Sequence, residues 1–130
     1  MRDDLALVGF LAARMRAPFA WGRNANDCVS FALAAAKAQT GREVLGDGVD
    51  WRTARGAARV LRRLGGLEAA VDGCLPAIAV AKARRGDVAL VDTATGPALM
   101  VVEGVTLVGP GPNGLIRRPR ADARKAWTLD

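Results

Sequence analysis

The chain has 130 residues, a formal charge of +6 and an isoelectric point near 10.6, and 51% of its residues are hydrophobic. That is enough apolar surface for one domain, over residues 1–130, without disulfide staples, and two cysteines with no histidine exclude a disulfide framework and the commonest metal ligand. The excess charge is almost all arginine, suited to phosphate- or carboxylate-bearing partners or simply to solubility, and no metal or other cofactor is expected.

Met1-Arg2-Asp3-Asp4 lacks the basic start, apolar run and cleavage site of a secretory signal, and no stretch is as long as a membrane span. A soluble protein made in the cytoplasm is expected. Asp3 and Asp4 open a first helix whose inner stripe is read as Leu5, Val8, Leu11 and Met15, ending before Pro18.

The loop Trp21-Gly22-Arg23-Asn24-Ala25-Asn26-Asp27 is rich in turn formers. Asn26 or Asp27 caps a second helix, uncharged from Val29 to Ala36, that runs to about Thr40 with Gly41 as its C-cap. Cys28 falls in its first turn, where free backbone N–H groups and the helix dipole favour thiolate over thiol. The plain alternative is a small buried hydrophobe, a common role for free cysteine.

Asp50 is read as the cap of a third helix, Trp51 to Leu64, that ends at Gly65-Gly66. Ala54, Ala57, Ala58, Leu61 and Leu64 form its expected inner face. Arg52, Arg55, Arg59, Arg62 and Arg63 share an arc of about 100° on the other side, either as a solvated face or as a contact for a polyanion. Leu67 to Val71 add a short helix, and an irregular approach leads from Pro76 to Lys82.

The pattern then changes to β-prone runs at Asp87–Asp92, Ala98–Val102 and Val105–Val108, with further strands at Leu115–Arg117 and Ala126–Leu129. Gly109-Pro110-Gly111-Pro112-Asn113-Gly114 reads as a loop and is no phosphate loop, because its prolines lack N–H donors. Helices first and clustered strands second predict an α+β domain, with the Cys28 helix packed on a small C-terminal antiparallel sheet. Trp21, Trp51 and Trp127, beside apolar neighbours, are read as core rather than as a stacking platform.

This order of elements resembles the NlpC/P60 group of papain-like cysteine peptidases. Phe19-Ala20-Trp21-Gly22 and Asn26-Asp27-Cys28-Val29-Ser30-Phe31 are similar to that group's aromatic-Trp-Gly and Asp-Cys-Ser-Gly-Phe signature, with Val29 in place of Ser and the Gly missing. Arg85-Gly86-Asp87-Val88 resembles its Gly-Asp-Leu strand. With Gly96-Pro97-Ala98-Leu99, these segments resemble the short DUF6950-type proteins of phages, prophages and bacterial tail-gene clusters from about Asp4 to Trp127.

The resemblance implies a nucleophile position at Cys28 beside Asp27, with Trp21, Arg23, Ser30 and Asp87 around the cleft. It puts the general-base histidine at Ala98. With no histidine in the chain, it implies a domain without hydrolysis, serving as a structural or binding component of a phage-type tail or gene-transfer particle. Tail or particle proteins and peptidoglycan are the expected partners.

A cysteine hydrolase acting on an amide or thioester of cell-wall peptide, with a partner-supplied histidine or with Asp27, Asp87, Asp92 or Glu103 as base, is the alternative. Nucleic-acid binding through the arginine face is a second. Cys28 and Cys74 are expected to be unbonded thiols in a reducing compartment.

Overall fold

The structure, a computed structural model, describes residues 2–130. It is an α+β arrangement of helices α1 (Asp4–Arg14), α2 (Cys28–Thr40), α3 (Ala54–Arg63) and α4 (Leu67–Asp72) against an antiparallel sheet. The strands are β1 (Ala77–Ile78), β2 (Val88–Thr93), β3 (Gly96–Val102), β4 (Thr106–Gly111), β5 (Gly114–Pro119) and β6 (Lys125–Trp127), in the order β1-β6-β2-β3-β4-β5. No helix among the described residues is long and apolar enough to cross a membrane.

Helix α2 starts and stops where local chemistry dictates. Asp27 caps it by accepting from Ser30 N, and Gly41 closes it in the left-handed region at φ 74°, its N–H bonded to Lys37 O. Only Lys37 along α2 is exposed. One face of the sheet (Val88, Leu90, Leu99, Trp127) meets Ala32 and Ala36 of α2 and Leu67 of α4. The other face (Ala89, Val91, Met100, Val102, Ala126) is closed by Ile78, Val80 and Ala83. Burial on both faces explains why β2 and β3 read as continuous apolar runs rather than alternating ones.

The inner face of α1 differs from the expectation. Leu7 and Leu11 are buried and Phe10 packs on Phe31 at 5.1 Å between ring centroids, whereas Leu5, Val8 and Met15 are exposed. Apolar residues surround this helix, so periodicity offers two stripes; the aromatic contact with α2 selects the one carrying Phe10.

Helix α3 starts later than read from Asp50, with Thr53 as its cap through Gly56 N at 3.0 Å. Trp51 is buried ahead of it, which holds the chain there out of helix. The inner face is Ala57, Val60 and Leu61, while Ala54, Ala58 and Leu64 are exposed.

The segment from Gly109 to Gly114 is mostly strand. β4 continues through Gly109-Pro110-Gly111, and a hairpin closes at the Gly111–Gly114 pair. Pro110 is tolerated because β4 pairs with β3 only at Val101–Val108 and Val102–Leu107, so no neighbour on that side needs its missing N–H. Ala77–Ile78, within the stretch read as irregular, forms the edge strand beside β6.

Candidate functional site

The turn before α2 is built from its own side chains. Asp27, fully buried, accepts from Ser30 N at 2.8 Å with one oxygen, and from Gly22 N at 2.9 Å and Trp51 Nε1 at 2.7 Å with the other. Ser30 Oγ donates to Gly22 O at 2.6 Å, which closes the loop onto the helix. Asn26 holds the other side, donating to Pro18 O and accepting from Arg14, and its backbone bridges to Ala20. Gly22 sits at φ 135°, with the Arg52 backbone 3.8 Å from where a Cβ would stand.

These contacts engage several of the residues expected at the site. Arg23 donates to the carbonyls of Leu45, Gly46 and Val49, clamping the loop ahead of Trp51. Ser30 and Asp27 are consumed by the turn. Asp87, also fully buried, accepts from Arg84 N, Leu129 N and the Arg2 guanidinium, and so ties both chain ends to the start of β2.

Cys28 is the first residue of α2, facing the sheet as expected. Its state is the reverse of the expected thiolate. The residue is only half-buried, yet the protein packed around its sulfur pushes the thiol pKa up, and the negative charge of Asp27 adds to the rise. Backbone hydrogen bonds from Leu99, Val29 and Cys28 itself pull the other way and are outweighed. Desolvation therefore wins over the helix start.

No carboxylate considered as a base is free to act on this sulfur. Both oxygens of Asp27 are taken by donors, Asp92 pairs with Arg124, and Glu103 accepts from Arg117 and Thr106. The position matched to the histidine is also displaced. Ala98 packs in the layer on the far face of the sheet, with Ala89 and Val91 among its core cluster, while Leu99 and Pro97 line the cleft with Cys28. A strand alternates its faces, so a shift of one residue carries a side chain through the sheet.

The cleft is an apolar cavity of about 150 Å³ between α2, α3, α4 and the 44–49 loop. Val29, Leu33, Val60, Leu61 and Leu67 are among its lining residues, and the half-exposed Trp21 and Leu64 also border it. Trp21 stands edge-on to Phe19 at 5.0 Å between centroids. Cys74 borders the same cavity, so the two thiols, both free, share one space that their separation in sequence conceals. Burial raises the Cys74 pKa as well. Among the described residues no cluster of acidic and thiol side chains is arranged to hold a metal ion.

Sequence reasoning missed Trp51, Leu99 and Cys74 as parts of this site. Trp51 carried a signal, since a buried indole N–H needs an acceptor and a buried aspartate needs donors. Cys74 carried none, because only the docking of α4 brings it to the cleft.

The chain belongs to the DUF6950 family, whose model, described as a domain of unknown function, matches residues 1–129. Among solved structures it is similar to the NlpC/p60 domain of the peptidoglycan hydrolase SagA, with a TM-score of 0.62 and 18% identity over 97% of this chain and 98% of that one. That likeness shows an NlpC/P60-like fold. No curated protein matches the chain.

Proposed function

We propose that this DUF6950 member is an NlpC/P60-like domain without peptide hydrolysis, acting as a structural or binding component of a phage-type tail or gene-transfer particle. The observation that carries the loss of hydrolysis is the surroundings of Cys28: the chain has no histidine, and the strand opposite the thiol presents Leu99 and Pro97. Amide cleavage needs a group that takes the thiol proton and returns one to the leaving amine, near neutral pH. The raised thiol pKa and the occupied carboxylates support the same reading.

The particle role rests on the resemblance to short phage and tail-cluster proteins. It implies synthesis in the bacterial cytoplasm followed by assembly, with tail proteins as partners and cell-wall peptide as a ligand held without cleavage. Two measurements test it. Purified protein is expected to leave muropeptides intact over hours, and cleavage that disappears in Cys28→Ala would overturn the loss of hydrolysis. A tagged chain made in its native host is expected to sediment with particle tails; recovery only in the particle-free fraction would overturn the assembly role.

A further inference from the structure

Helix α1 has an apolar face on each side, and only one of them is covered. Leu7, Phe10 and Leu11 pack inward, while Leu5, Val8, Ala12 and Met15 are exposed, Leu5 at 83% and Met15 at 58%. At the helical repeat these four fall within an arc of about 80°, in the alternating three- and four-residue steps of a helix-pairing seam. No charged residue lies between Asp4 and Arg14, so solvent meets an unbroken apolar stripe where a surface helix normally presents polar side chains. Gly9 borders the stripe, and a Cβ on it would meet nothing within 4 Å; its φ is not in the left-handed region either. The fold of the single chain therefore gives no reason for a glycine that weakens the helix interior. A second helix backbone passing close by supplies one.

We infer that this face of α1 pairs with the same face of a second copy of the chain, antiparallel, about a two-fold axis level with the middle of the helix. Leu5 then stands level with Met15 of the second copy, and Val8 with its Ala12. Small against large at the centre lets the helix axes approach, and the two outer layers are filled by leucine and methionine. The contact is the same surface on both copies, so it closes as a dimer and does not propagate.

Charge selects both the direction and the partner. Asp4 at the start of α1 and Arg16 just past its end are exposed, and neither forms an ion pair among the described residues. An antiparallel pair brings the acidic end of each helix beside the basic end of the other and opposes the two macrodipoles, whereas a parallel pair stacks acid on acid and arginine on arginine. A foreign apolar helix would fill the stripe, but the ends of α1 call for the reverse of their own charges, and an antiparallel copy is that reverse. An interface on one 11-residue helix, about 16 Å long, is at the small end of those that hold partners, so the association is reversible and set by concentration.

This pairing is separate from the thiol cleft and does not depend on the particle role. Sedimentation velocity of the wild-type chain, from about 10 μM to about 1 mM, is expected to pass from monomer to dimer with no larger species. Val8→Asp puts a charge at the centre of the seam and should raise the dissociation constant more than about tenfold. Asp4→Arg should raise it roughly fivefold at low salt, and Arg16→Asp added in the same chain should bring it back toward the wild-type value. A parallel pair would not respond to the single reversal, so the rescue reads the direction. A monomer at every concentration would overturn the inference and leave the stripe to a foreign partner. A dimer untouched by Val8→Asp, one unmoved by Asp4→Arg, or a double reversal that restores nothing would each overturn it too. The wild-type series needs no variant, and circular dichroism checks that the variants, all at exposed positions, are folded.

Discussion

Trp51 donates its indole N–H to Asp27 over 2.7 Å, and the same carboxylate caps α2 one residue before Cys28. Three elements are fastened by one side chain: the Trp21-Gly22 turn, the thiol helix and the approach to α3. An aspartate with three buried donors is a better joint than a base, because any proton it took would compete with all of them.

Asp27→Asn should therefore damage stability more than chemistry. An asparagine oxygen can still cap Ser30, but its amide nitrogen then faces Gly22 N–H and the indole N–H, leaving donors against a donor. A loss of about 3 kcal/mol in urea unfolding is expected, with Trp51→Phe costing less because it removes one donor and leaves two. A loss below about 1 kcal/mol in Asp27→Asn would show that the joint is not needed.

Alkylation of Cys28 should be slow at neutral pH. Its thiol pKa is raised by burial and by Asp27, so the reactive thiolate is scarcer than on a free cysteine. The iodoacetamide rate is expected to climb only in the alkaline range, with a midpoint above that of a cysteine in the unfolded chain. The linkage has the matching sign: the stability due to the neutral buried thiol is complete below the unfolded pKa and is lost as pH rises through the folded one. Faster alkylation than the unfolded chain at neutral pH would mean that the helix start outweighs desolvation after all.

Leu99→His and Ala98→His should behave differently although they are neighbours. The first replaces a side chain that lines the cleft with Cys28, and an imidazole there should move the alkylation profile toward neutral pH. The second places its ring in the far layer of the sheet and should leave the profile unchanged. Identical profiles for the two proteins, both confirmed as folded by circular dichroism, would contradict the assigned faces.

Gly86→Ala should destabilise the junction between α2 and β2. Gly86 is at φ 93°, and a Cβ there would overlap the carboxamide of Gln39, which donates to Gly86 O at 3.2 Å and Ala35 O at 3.1 Å. A loss of about 2 kcal/mol in urea unfolding is expected from strain and the displaced amide. Unchanged stability would mean that Gln39 is free to move aside.

The acid side of the stability profile should follow the surface carboxylates. Hydrogen bonds from Lys125 hold Glu68 and Asp72 below the usual carboxylate range, as Arg117 does Glu103 and Arg2 does Asp130. A depressed folded pKa means stability that is present above the unfolded value and lost as pH falls through the folded one. With no histidine to titrate near neutrality, the melting temperature should be flat from neutral pH down to the ordinary carboxylate range and fall below it. The fall should be shallower at high salt, because the carboxylates of Glu68, Asp72 and Asp130 are exposed and screened. A steep loss between neutral pH and that range would point to a different titrating group.

What the sequence determined by itself was local. Asp27 and Gly41 bound α2 because a cap needs only its own turn, and Cys28 is at the helix start for the same reason. The β-prone runs from Asp87 onward and the overall α+β order were also legible, since strand propensity and turn residues act over a few positions. Tertiary structure decided everything that depends on what lies across a gap. Which stripe of α1 is buried turned on Phe31, and the extension of β4 through Pro110 turned on where β3 stops pairing. Whether Ala98 or Leu99 faces the sulfur turned on a strand parity that one residue reverses. The direction of the thiol pKa turned on how much protein surrounds the sulfur, and desolvation is a sum over distant segments that no spacing along the chain records.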